Sequence, residues 1–163
     1  MDDWTLLVVL LGSIIALTAL VTIIVRRRFK GSITIAVATI LGIFAGIGGA
    51  SHGPGEMLQG NIAPSGIIIE AWPALTSLSG EPAMTLIPNF SVSGIVTVIT
   101  GAAVTIWAAT RIQSKNGALV LILLSTMMLF VGGGLIPPVF GVVAGIIAAR
   151  VSQKDLKTSH QKI

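Results

Sequence analysis

GALVLILLSTMMLFVGGGLIPPVFGVVAGIIAA, residues 117–149, is the stretch on which the reading of the fold turns. A single straight helix through it would be about 50 Å long at ~1.5 Å per residue, too long for a hydrocarbon core of roughly 30 Å. The run is broken by Gly132, Gly133 and Gly134 and then by Pro137 and Pro138. Adjacent prolines remove two backbone donors and disfavour helix in the residue before each. The stretch therefore predicts a hairpin: a short helix over 117–131, an elbow at Gly132–Pro138 and a second short helix over 138–149. Both are short for spanning. They read either as two thin crossings or as a re-entrant pair shielded by other helices.

Working toward the N-terminus, three longer apolar runs precede the hairpin. Trp4–Val25, residues 32–50 and residues 92–110 each approach the ~20 residues that a crossing needs. The first opens on Asp2 and Asp3 and ends on Arg26, Arg27 and Arg28, the reverse of the basic start of a cleavable signal peptide, and so reads as a retained anchor. The expectation is an all-α integral membrane protein, a five-helix transmembrane bundle in one membrane domain over residues 1–163. An outer cap at 51–91 and a cytoplasmic tail at 150–163 complete it.

Composition agrees with lipid as the solvent. Hydrophobic residues make up 53% of the 163 positions, charged residues only 10%, and the mean hydropathy is +0.96. A soluble domain carries about a quarter charged residues, so this chain cannot face water on all sides. With five crossings and the N-terminus outside, the cytoplasmic segments are 26–31, 111–116 and 150–163. These hold Arg26, Arg27, Arg28, Lys30, Arg111, Lys115, Arg150, Lys154, Lys157 and Lys162, all ten basic residues of the chain. That distribution follows the positive-inside bias, whereas four crossings would place the tail lysines outside. It reads as a multi-pass protein of the cell membrane whose net charge of +4 meets lipid head groups rather than nucleic acid.

The outer segment differs from the rest. It carries Pro54, Pro64, Pro73, Pro82 and Pro88 with Glu56, Glu70 and Glu81, and neither Lys nor Arg. At roughly 40 residues it exceeds the usual structureless connection, so it is expected to be ordered. The β-prone runs Ile67–Trp72 and Met84–Ile87, separated by turn-like Ser77–Pro82, predict a small β-hairpin over the bundle.

Candidate functional residues are few. His52 and Glu56 stand four apart, a spacing that on a helix would share a face and suit a metal or a proton relay. The intervening Gly53-Pro54-Gly55 argues for a loop instead, in which His52 hydrogen-bonds the carbonyls of the helix end. Glu56, Glu70 and Glu81 make the outer face acidic, which suits a solvated surface or the mouth of a pore. Glu70 beside Trp72 sits in apolar company, where a carboxylate needs a partner. The glycine pairs Gly42/Gly46 and Gly141/Gly145 let helices approach closely, either within this bundle or toward a second copy or a partner subunit. Gly132, Gly133, Gly134, Pro137 and Pro138 form either a broken-helix site with exposed backbone groups or a plain turn. Asn89-Phe90-Ser91 fits a glycosylation pattern close to a span.

The expected spans contain no Asp, Glu, Lys, Arg or His, only hydroxyls such as Thr39, Thr97, Thr105, Ser125 and Thr126, which argues against an ion-coupled pump. Threonines of this kind are expected to bond back to their own helix. There are no cysteines, and only His52 and His160 are available as imidazole ligands, which excludes thiolate metal sites and a bis-histidine haem. The leading expectation is a small, non-enzymatic multi-pass protein without a cofactor that binds a partner protein or lipid, either alone or as a subunit of a larger membrane assembly. The alternatives are a channel or uncoupled transporter built on the acidic outer face and the elbow, and a membrane enzyme or metal protein using His52 and Glu56.

Overall fold

The computed structural model describes residues 33–69 and 81–160, with side chains described as far as Val151. The expected span 4–25, Glu70, Trp72 and the last three residues of the chain lie outside the described residues. Four helices and one two-stranded sheet are present among those described: α1 (Ile33–Leu58), β1 (Ile68–Ile69), β2 (Ala83–Met84), α2 (Phe90–Arg111), α3 (Gly117–Phe130) and α4 (Ile136–His160). By length and composition α1 and α2 are long and apolar enough to cross a membrane; α3 and residues 136–151 of α4 are shorter apolar helices.

The boundaries depart from expectation in two places, both for physical reasons. α1 does not stop near Ala50 but continues through Gly53-Pro54-Gly55 to Leu58. Local propensity favours a loop there. The helix persists because Gly53 is pressed onto α2: a Cβ at Gly53 would lie 2.5 Å from Val98 Cγ2 and 2.6 Å from the Gly94 carbonyl oxygen. Only a glycine in regular helix fits that contact, so tertiary packing overrides the local signal. α4 begins at Ile136 and runs to His160, so the expected helix over 138–149 is longer at both ends and the tail is helical well past Arg150. Pro137 and Pro138 belong to its first turn rather than to the elbow. In that turn a missing N–H removes nothing, because those donors have no intrahelical acceptor in any helix.

α1 packs along α2 and α4, and α3 packs along α4 and, less extensively, along α2. Small residues make these crossings close. A Cβ at Gly46 would meet the Gly101 carbonyl oxygen and the Thr105 amide at 2.6 Å, and one at Gly42 would meet the Ala108 methyl at 2.6 Å. Gly141 abuts Ser125, and Gly145 abuts Ile122 and the Ala118 carbonyl. All four glycines of the two expected pairs thus serve contacts inside this chain. The core they border is Ile35, Ala38, Ala45, Val104, Ala108, Ile112, Leu121, Met128, Ala144 and Ala148. Outward positions on every helix are large and apolar, among them Phe44, Ile47, Ile95, Ile99, Ile106, Leu119, Leu123, Val139 and Ile146.

The expected hairpin is present as a short antiparallel pair, with Ile68 opposite Met84 and Ile69 opposite Ala83. Its strand continues onto the bundle: Thr85 N donates to Ile67 O (2.9 Å), Leu86 N donates to Phe130 O (2.9 Å), and Thr85 pairs with Val131 across an antiparallel bridge. Segment 83–86 is thereby stitched between the hairpin and the end of α3. Asn89 fixes the start of α2, its Oδ1 accepting from Val92 N (3.0 Å) while its Nδ2 donates to Asn61 Oδ1 (2.5 Å). The residue flagged as a glycosylation acceptor is the helix N-cap.

Among the described residues, the two ends of the packed helices differ in charge. The start of α2, the elbow between α3 and α4 and the end of α1 lie together and bring His52, Glu56 and Glu81 to one end. At the opposite end are Arg111, Lys115 and, beyond the Gly145–Ala118 contact, Arg150.

Candidate functional site

The site is built around the elbow. α3 closes at Phe130, and Gly132 follows with φ +113°, which lets Gly133 N turn back to Met128 O (3.0 Å) and satisfy one of the helix's last carbonyls. Gly134 takes φ +75°, and α4 starts at Ile136. The two positive-φ glycines have a second role beyond the turn. A side chain on Gly132 would strike the Glu56 carboxylate, and one on Gly134 would strike Glu81 and His52. The elbow is therefore a bare backbone surface against which both ends of the His52–Glu56 pair are laid.

His52 and Glu56 share the face of α1, one turn apart, and they take different partners. His52 Nε2 donates to Glu81 Oε1 (2.9 Å), and the other Glu81 oxygen accepts from Ile136 N (3.3 Å). Instead of capping its own helix end, His52 joins α1 to the outer segment. Glu81, expected on a solvated face, is only 15% exposed and bridges α1 to the first turn of α4. Since Pro137 and Pro138 have no N–H, Ile136 is one of few amides free to receive a carboxylate at that helix start, where the helix dipole also favours an anion.

Glu56 is 3% exposed and neither of its carboxylate oxygens has a hydrogen-bond partner. Ser93 stands beside it, and the hydroxyls of Ser93 and of the residues linked with it are already committed. Ser93 and Thr97 both donate to Val131 O, Ser93 at 3.0 Å. Thr85 Oγ1 accepts from Ile87 N (3.1 Å) and stands 2.7 Å from Ser93 Oγ, to which it donates. Each hydroxyl proton is thus used before Glu56 is reached, including that of Ser93 beside the carboxylate. The cluster has more acceptors than protons. An isolated buried carboxylate in this setting carries a desolvation cost of several kcal/mol or more in its charged form.

Sequence reasoning had singled out His52, Glu56, Glu81 and the elbow separately; the fold brings them to one place. It had not singled out Thr85 or Ser93, and it had Thr97 bonding within its own helix. Thr105 and Thr126 do bond back to the carbonyls four residues earlier. Thr97 instead reaches across to the elbow because Val131 O, at the frayed end of α3, has no intrahelical donor. Among the described residues no group of three or more His, Cys, Asp or Glu side chains is placed to hold a metal ion. Fold and site together define a mostly helical structure whose four described helices pack on one another, with large apolar residues facing outward and a buried carboxylate at one end. Comparison with protein families, with curated proteins and with solved structures finds no match for this chain.

Proposed function

We propose that this chain is a multi-pass protein of the cell membrane, non-enzymatic, that binds a small cation at Glu56 and conducts or exchanges it as a channel or uncoupled transporter. The observation that carries the reading is the buried, unpartnered Glu56 carboxylate. A group of that kind within an apolar helix bundle is a functional site by default, because it costs stability unless a positively charged species visits it. Two further buried hydroxyls without partners, Ser125 on α3 and Thr39 on α1, continue the polar positions toward the basic end. Met128, fully buried against Gly49 and Gly133, closes the line between Glu56 and Ser125.

Orientation follows from the charge asymmetry. The end bearing Arg111, Lys115 and Arg150 is cytoplasmic, the end bearing Glu56 and Glu81 is outside, and the outward apolar residues of each helix face lipid. The apolar parts of the last two helices are short, and it is the place of the elbow, against Glu56 and beside the start of α2, that supports two crossings rather than a re-entrant pair. The partner-subunit reading loses its main motive, since Gly42, Gly46, Gly141 and Gly145 pack inside the chain. Reconstitution into liposomes tests the proposal. Proton, sodium or potassium flux is expected with the native chain and is expected to fall in Glu56→Gln. Absence of flux for all three ions overturns it.

A further inference from the structure

The geometry points to the proton as the cation that Glu56 holds. This rests on the reading of Glu56 as the binding group and adds which ion occupies it. The argument is a count of donors and acceptors. Hard metal cations take six or more oxygen ligands. Beside Glu56, Val131 O is filled by the Ser93 and Thr97 hydroxyls, and Thr85 Oγ1 accepts from the Ile87 amide and donates to Ser93. The oxygens left over are the two of Glu56 and the unfilled lone pairs of Ser93, Thr85 and Thr97, five oxygens at most and so short of such a shell. A metal ion would have to dismantle the hydroxyl network to complete its shell.

Space decides the same way. Gly132 is packed so closely on the carboxylate that even one added carbon would lie 2.7 Å from Glu56 Oε2 and from its Cδ. A hydrated alkali ion has no room between Gly132 and the carboxylate. A proton needs one carboxylate oxygen to sit on and one acceptor to point to, and the remaining Ser93 lone pair supplies the latter. Protonated Glu56 also removes the uncompensated charge from the interior. Among the described residues no second acid contests the proton. Among the described residues, the other titratable groups at this end are His52, one turn earlier on the same helix, and Glu81 on the outer segment, and these two are paired with each other at Gly134. α2, α3 and the elbow present none toward Glu56, since Arg111 stands at the far end of α2. The relay Thr85–Ser93 runs from the cap to the carboxylate and gives a proton a route that a metal ion cannot use.

Two measurements on the full chain in detergent or liposomes test this. Infrared spectra should contain the carbonyl stretch of a protonated carboxylic acid that is lost in Glu56→Gln and displaced in Ser93→Ala, which removes the acceptor without touching the acid. Dicyclohexylcarbodiimide, to one C=N bond of which a protonated carboxylic acid in apolar surroundings adds its O–H, should label Glu56 in peptide mass mapping, and sodium chloride should not protect it. Lack of a Glu56-dependent carbonyl band in the native protein, or protection of Glu56 by sodium, overturns the assignment. The outcomes separate from those of the flux assay: sodium flux that depends on Glu56 with no such band defeats the proton and leaves the transport reading. The band and label with no flux do the reverse.

Discussion

Replacing Gly132 by alanine should expose the contact on which the site depends, and its cost can be worked from two separable parts. The first is backbone. Gly132 sits at φ +113°, a region that residues with a Cβ occupy at about 1–3 kcal/mol. The second is steric. The new methyl would meet both carboxylate oxygens of Glu56, a side chain buried to 3% exposure with no open space to retreat into. Overpacking of that kind costs about 1–3 kcal/mol. Gly132→Ala alone should therefore destabilise by about 2–6 kcal/mol, the sum of those two ranges. In a Glu56→Ala background the steric part disappears while the backbone part stays, so the same substitution should cost only about 1–3 kcal/mol. The difference is a coupling of about 1–3 kcal/mol, well above the ~0.5 kcal/mol within which independent sites add. Equilibrium unfolding of the four proteins in mixed micelles titrated with a denaturing detergent closes the cycle. Additive costs would refute the claim that the elbow backbone is laid on Glu56.

The remaining predictions concern the bundle and its orientation. Gly46→Leu places a side chain where α1 and α2 meet backbone to backbone at 2.6 Å, and it should destabilise by about 3 kcal/mol or more in the same unfolding assay, whereas Gly66→Leu, with nothing within 4 Å, should be close to neutral. The chain has no cysteine, so single substitutions report sidedness directly. Asn61→Cys should react with a membrane-impermeant maleimide from outside intact cells, and Ser114→Cys only after permeabilisation; the opposite pattern would invert the proposed orientation.

What could be read from the residues, and what could not, divides by the range of the interactions. The elbow was legible because three glycines and two prolines act locally, through φ and through missing donors. Its detail was not, because prolines that break a helix interior start a helix equally well. The Gly53-Pro54-Gly55 segment shows the limit most clearly. By local preference it is a loop, and only the close approach of Gly94, distant in sequence, holds it in α1. Once α1 reaches Leu58, Glu56 is inside a helix, and the apparent absence of ionisable residues from the helices no longer stands. Likewise His52 and Glu81 are 29 positions apart, so neither could announce the other. Thr85, Ser93 and Thr97 give no signal of their own, since a hydroxyl in an apolar helix usually turns back to its own carbonyls.

On the proposed reading, the closed form of this site bears on selectivity. Outward, the approach to Glu56 is covered by the strand at 83–86 and by Glu81, which is tied to both His52 and Ile136. Inward, Met128 fills the space between Gly49 and Gly133. A metal ion moving through would require both covers to open and its own hydration shell to be replaced. A proton requires neither, because hydroxyls already in contact can pass it by exchanging which oxygen donates. Selection then needs no filter of matched radius. It follows from packing a carboxylate against a bare glycine and leaving the nearest hydroxyl one free lone pair, which is why the Gly132 contact and the Ser93 acceptor are the two places where a single substitution should change what the site can hold.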